Sequence, residues 1–169
     1  KTFKRHCVLD NFNLTVQAGE HIALIGSNGA GKTTLIRCLL GEYHHEGRIT
    51  VAGYNPHRQR RHVLKHIGFV PQLPPPLKIP VGQLIQFAAG VCDNETQQIT
   101  DISMQLGLKV HDVRYRPFVK LSGGQKQKLL ISIALGRNTD ILVMDEPAAN
   151  LDPAARTVFF NLLRERQKN

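Results

Sequence analysis

Two clusters of residues in this 169-residue chain have the types and spacing for chemistry on a phosphate group. The first is Gly26-Ser27-Asn28-Gly29-Ala30-Gly31-Lys32-Thr33, glycines spaced for a phosphate loop and followed by Lys and Ser/Thr. Glycines let backbone amides converge on phosphate oxygens, and a helix starting at the loop adds about half a positive charge. Lys32 can neutralise β- and γ-phosphates, and the Thr33 hydroxyl, with Thr34 beside it, can ligate Mg²⁺. The second cluster is Asp145-Glu146, directly after Ile141-Leu142-Val143-Met144. Ligands of open α/β sheets bind at the carboxyl ends of strands. Asp145 can hold the magnesium there, and Glu146 can polarise a water for in-line attack on a γ-phosphate. A glycine turn and a strand end explain either cluster alone. Both in one chain, with a strand before the loop and a helix after it, point to a nucleoside triphosphate.

The elements that must carry these residues read as an α/β core. Phe12, Leu14 and Val16 alternate with polar residues, predicting a strand with one buried face. His21–Ile25 predicts a buried strand leading into the loop, and Lys32 to about Leu40 a helix capped by Gly41. Arg48–Ala52 and Ile67–Val70 are further strand candidates, with a short helix opened by Asn55-Pro56 between them. The run Pro71-Gln72-Leu73-Pro74-Pro75-Pro76 can continue neither helix nor sheet and marks a boundary or hinge. Beyond it, Val81, Leu84, Ile85 and Ala88 make one apolar helix face, and Ile99, Ile102 and Leu106 another, ended by Gly107. After a break at 114–119, a helix runs to about Leu135 and Thr139–Met144 is a buried strand. Asp152-Pro153 opens a last helix with the stripe Ala155, Val158, Phe159, Leu162 and Leu163.

Composition narrows the class. Apolar residues at 41% and charged residues at 21% exclude a disordered or fibrous chain. No apolar run approaches the ~20 residues of a membrane helix. Cys7, Cys38 and Cys92, odd in number and without paired spacing, read as free thiols of a reducing compartment. The net charge of +9 invites a nucleic-acid reading, but no aromatics are interleaved with the basic knot His57-Arg58-Gln59-Arg60-Arg61-His62 to stack bases. A solvated helix face is the plainer reading of that knot.

Leu121-Ser122-Gly123-Gly124-Gln125 reads as a helix start with Ser122 as cap, and as an anion site free of protein partners where the glycines allow close approach. Joined to the phosphate loop and to Asp145, which lies 20 residues after Gln125, this pentapeptide resembles the signature of the ABC (ATP-binding cassette) ATPases. The resemblance covers nearly the whole chain. It implies a P-loop NTPase core with an N-terminal antiparallel β subdomain and a helical insertion. Within one domain, 1–71 holds the β region and phosphate-loop core, 72–118 the helical subdomain, and 119–169 the signature and Asp-Glu core.

Site roles follow from the same resemblance. ATP contacts fall to Phe3, stacking on adenine, to Gly26 through Thr34, and to Ser122, Gly123, Gly124 and Gln125. Lys32, Gln72 and Glu146 are catalytic, and Thr33, Gln72 and Asp145 hold Mg²⁺. Gln72 follows Phe69-Val70-Pro71 as in the family's glutamine loop, which senses a transporter partner. Asn150, Leu151 and Asp152 match the loop that crosses the interface between two cassettes. ATP would be sandwiched between those cassettes, and an integral membrane subunit would be the third partner, placing the chain on the cytoplasmic face of the cell membrane. No nucleic acid is expected. A soluble ABC ATPase acting on nucleic acid or ribosomes is the alternative, disfavoured by the short helical region. The proline-rich glutamine loop and the insertion length look more like exporter-type than amino-acid importer ATPases. The family's switch histidine has no counterpart among the eight histidines, so the domain is expected to be C-terminally incomplete.

Overall fold

Helices form where apolar residues recur at three- and four-residue spacing, and strands only where a neighbouring strand completes the ladder. A computed structural model describes every residue except Arg5, Asp93, Lys168 and Asn169. The chain divides into two compact units, Lys1–Leu64 and Lys65–Asn169.

In the first unit, β1 (Thr2–Phe3) pairs antiparallel with β2 (His6–Cys7). Helix α1 (Lys32–Leu39) buries Leu35, Ile36 and Cys38, and burial pushes the Cys38 thiol pKa up. Gly41 ends the helix at φ 68°, and its close approach to Pro56 is as demanding as its dihedral: a Cβ there would lie 2.1 Å from the Pro56 carbonyl oxygen. Asn55 Oδ1 accepts from the amides of His57 and Arg58, both at 2.9 Å, which starts the turn into α2 (Arg60–His66). Within the basic knot, Arg60 lies 3.7 Å from Glu42, His62 stacks on Tyr54, and Arg58 and Arg61 are exposed. The solvated-face reading describes these side chains.

Three expected strands of this unit are not formed. Phe12, Leu14 and Val16 are at least half exposed, and Ile22, Leu24 and Ile25 of the run His21–Ile25 are 46%, 40% and 93% exposed. No strand of the described residues pairs with either segment. Alternation and β-branched content express fitness for a pleated, half-buried surface, but the ladder and the covering face must come from other elements. In place of a strand at Arg48–Ala52 there is a turn at Val51–Tyr54: Val51 and Tyr54 exchange two 2.9 Å backbone bonds around Ala52 and Gly53, both at positive φ. That is the geometry of a two-residue type I′ hairpin.

In the second unit, β3 (Ile67–Val70) pairs in parallel with β4 (Ile141–Met144), with Val70 opposite Met144. Around the pair lie α3 (Val81–Val91), α4 (Thr96–Gln105), the short α5 (Val110–Val113), α6 (Gly123–Gly136) and α7 (Pro153–Arg166). Their apolar faces share one cluster that includes Val70, Val81, Ile99, Phe118, Leu129, Ile131, Leu151 and Phe159. The stretch just after the proline run and the break at 114–119 brace each other, with Phe118 N–H bonding the Ile79 carbonyl and Val119 N–H the Leu77 carbonyl, both at 2.9 Å. Among the described residues, no helix is long and apolar enough to cross a membrane, and the three cysteines are free.

Candidate functional site

The phosphate-loop residues come together in the first unit. Gly29 (φ 84°) and Gly31 (φ 92°) occupy the left-handed region, so the turn into α1 uses backbone freedom that other residues lack. Gly31 is also pressed close: an added Cβ would stand 3.0–3.2 Å from atoms of Val8 and Leu9. Lys32 Nζ donates to the carbonyls of Gly26 at 2.6 Å and Ser27 at 3.0 Å, so the loop wraps around its own ammonium. Gly31 at the N-cap of α1 carries no side chain to cap the helix, whose positive dipole end suits an anion. Ser27, Asn28, Ala30 and Thr33 are exposed, and Thr34 is half-buried. Phe3 stands edge-on to Tyr43, ring centroids 5.3 Å apart, with Lys1 Nζ 4.4 Å from the centre of its ring.

Gln72 and Glu146 meet in the second unit, and the strand register explains why. Val70 and Met144 face each other in parallel strands, so the residues two positions beyond each emerge side by side. Gln72 Nε2 donates to Glu146 Oε2 at 2.9 Å. Asp145 prolongs the ladder by one bond, its amide donating to the Val70 carbonyl at 2.9 Å, and its side chain is buried. Glu146 is exposed with φ 50°, a left-handed backbone that a non-glycine residue holds at a cost of about 1–2 kcal/mol. Strained residues of this kind persist where their surroundings over-determine them. An exposed carboxylate at a fixed strand end, held by an amide donor, can accept a proton from a water.

The N-terminus of α6 departs from expectation. Ser122 and Gln125 form a capping box: the Ser122 hydroxyl accepts from the Gln125 amide at 3.2 Å, and Gln125 Oε1 accepts from the Ser122 amide at 3.0 Å. The site is therefore capped by its own residues and not free of protein partners, because the Ser and Gln side chains reach each other's backbone across one helical turn. Gly123 remains exposed and open, with nothing among the described residues outside its own turn within 4 Å of an added Cβ.

The loop after Glu146 packs along α6. Gln127 Nε2 donates to the Pro147 carbonyl at 2.7 Å, and Lys128 Nζ lies 2.7 Å from Asp152 Oδ2. Of the three residues expected at an interface, Asn150 is exposed, Leu151 is buried in the core, and Asp152 caps α7 by accepting from the Ala155 amide at 2.9 Å. Sequence reasoning missed Gln127 and Lys128; they close the polar run Gln125-Lys126-Gln127-Lys128, whose composition does not single out the two that face the loop.

Asp152 makes this packing pH-dependent. The hydrogen bond from Lys128, helped by the Ala155 amide and opposed by partial burial, holds its carboxyl below the ordinary carboxylate range. With the folded-state pKa below the unfolded one, its stabilisation is complete above the unfolded value and is lost as pH falls through the folded value. Asp152→Asn should thus show its largest Tm deficit relative to wild type near neutral pH. The deficit should close in acid, as thermal melts across a pH series would record.

The candidate metal ligands fit a hard cation by their chemistry. Thr33 offers a hydroxyl, Asp145 a carboxylate and Gln72 an amide oxygen, all of the oxygen class that Mg²⁺ prefers.

Comparison with known proteins gives consistent results. A family model described as ABC transporter matches residues 9–149. The chain is 35% identical over 170 residues to the Nod factor export ATP-binding protein I of Burkholderia thailandensis, covering 97% of this chain and 55% of that protein. It is 36% identical over 164 residues to the zinc import ATP-binding protein ZnuC of Marinobacter nauticus, covering 94% and 57%. The chain thus spans about half the length of these curated relatives. A solved structure, "Structure of ATP binding subunit of ABC transporter", superposes with a TM-score of 0.86 at 24% identity, over 95% of this chain and 69% of that one, a likeness of fold.

Proposed function

The chain belongs to the ABC transporter family and has its P-loop NTPase fold, and on that premise we propose that it binds and hydrolyses ATP to power transport through a separate membrane-spanning partner. The pairing of Gln72 with Glu146 beyond the adjoining ends of β3 and β4 supports this reading most directly. It sets a candidate base beside the residue expected to report on both the nucleotide and the partner.

In this reading the loop 26–34 and Lys32 grip the phosphates, and Phe3 exchanges its present aromatic contacts for the adenine. Thr33, Gln72 and Asp145 would hold Mg²⁺, whose charge neutralises the phosphate oxygens. Glu146 takes the proton of a water aligned for in-line attack. Gly123 and Gly124 let a second cassette's γ-phosphate approach the α6 N-terminus, with Ser122 and Gln125 fixing the turn. Asn150 and the exposed side of Asp152 border that second cassette, while Leu151 anchors the loop from inside. The integral membrane subunit sets substrate and direction, since relatives named for export and for import match this chain comparably. The chain then sits peripherally on the inner face of the cell membrane.

Gel filtration of the full-length protein with ATP tests the sandwich. ATP added under magnesium chelation should move the protein to the dimer position, and an unshifted monomer would overturn the two-cassette arrangement. Absence of ATP binding by calorimetry would overturn the functional reading itself.

A further inference from the structure

The loop that carries Glu146 is tied to one turn of α6 by two consecutive residues. Gln127 holds the Pro147 carbonyl at 2.7 Å, and Lys128 holds the Asp152 carboxylate at 2.7 Å. Between these ties the loop passes over Gly124, where an added Cβ would stand 3.3 Å from the Asn150 carbonyl oxygen. Gln127 is 1% exposed, and its Oε1 is buried with no hydrogen-bond partner among the described residues. The one bond this buried amide makes is thus to the backbone of the loop that carries Glu146.

What the amide does is close a clamp on Glu146. On one side, Asp145 is fixed to the sheet through its bond to the Val70 carbonyl. On the other, Pro147 has a ring-locked φ, and Gln127 holds its carbonyl. Glu146 lies between these two fixed points with its left-handed φ of 50°. Releasing either point lets that backbone relax toward the right-handed or extended regions and swings the carboxylate away from Gln72.

We infer that Gln127 is a positioning residue for hydrolysis, which holds Glu146 in place through the Pro147 carbonyl and makes Glu146 move with the N-terminal half of α6. The inference rests on the proposed role of Glu146 as base. It adds a consequence: a force that turns α6 is delivered to the hydrolytic carboxylate through one buried hydrogen bond.

The test compares the full-length wild type with Gln127→Met, which keeps the unbranched shape and removes the donor, and with Gln127→His, which keeps an N–H at similar reach. Gln127→Met should lower kcat by about 10²-fold, the scale of a small misplacement of a reacting group, with KM and ATP affinity unchanged. Gln127→His should recover most of the rate. A wild-type kcat in Gln127→Met, a parallel loss of ATP affinity, or a Gln127→His variant no better than Gln127→Met would overturn the role. Hydrogen exchange at the Ala149 and Leu151 amides, which bond the Glu146 and Ala148 carbonyls at 3.3 Å, reads the tie without turnover. Exchange there should quicken in Gln127→Met and stay slow in Gln127→His, and unchanged exchange in Gln127→Met overturns the clamp. A wild type that binds no ATP refutes the base role of Glu146 and not the clamp, which the exchange data judge on their own.

Discussion

Glu146→Gln is expected to stop ATP turnover while ATP still binds. The substituted amide has nearly the same size and cannot take a proton from water, so the contribution of a positioned general base, about 10²–10⁴ in rate, is lost. Its geometry should survive. The bond from Gln72 Nε2 needs only an oxygen acceptor, and the amide oxygen of the new residue supplies one. The ladder bond from Asp145 and the tie at Pro147 are likewise untouched. Phosphate release should fall to near background, calorimetric ATP affinity should match wild type, and an ATP-bound dimer should accumulate. Phosphate release at the wild-type rate would remove Glu146 from the mechanism.

Lys32→Ala acts earlier, at binding. Its ammonium is drawn to the carbonyls of Gly26 and Ser27, so the loop is shaped around a cation that a triphosphate would share. A hydrogen bond to a charged group contributes about 1.5–3 kcal/mol, which converts to a loss of roughly ten- to hundredfold in ATP affinity. Turnover should fall further, because the charge developing on the transferred phosphoryl group loses the same partner. Lys32→Arg should rescue little, since a broad planar guanidinium does not reproduce a compact ammonium inside a glycine turn. An ATP dissociation constant equal to wild type in Lys32→Ala would show that the loop binds its anion without this side chain.

Residues whose role is set by local backbone were legible in the sequence. The left-handed turns at Gly29 and Gly31, the Gly41 stop and the Asp152-Pro153 start each depend on neighbours within a few positions and stand where spacing suggests, whereas Asn55-Pro56 opens a turn and the helix expected there begins only at Arg60. The helices α3, α4, α6 and α7 were legible for the same reason, since an apolar face announces itself within one segment. What was illegible depends on register between distant segments. The meeting of Gln72 with Glu146 requires that Val70 and Met144 be paired, which no spacing reveals. The tie from Gln127 requires knowing which face of α6 the following loop crosses. The strands expected at Phe12–Val16 and His21–Ile25 failed on the same ground, since a β pattern states a preference and the partner strand decides whether it is met.

The uncovered stretch at 11–18 also governs how the protein behaves in bulk. From Asn11 to Ala18 it contains no charged residue and no proline, and its Phe, Leu and Val side chains are at least half exposed. An uncharged, β-prone segment of this length with open backbone groups is a template for addition of another chain. The net charge of +9 opposes that addition, as colloidal repulsion between copies.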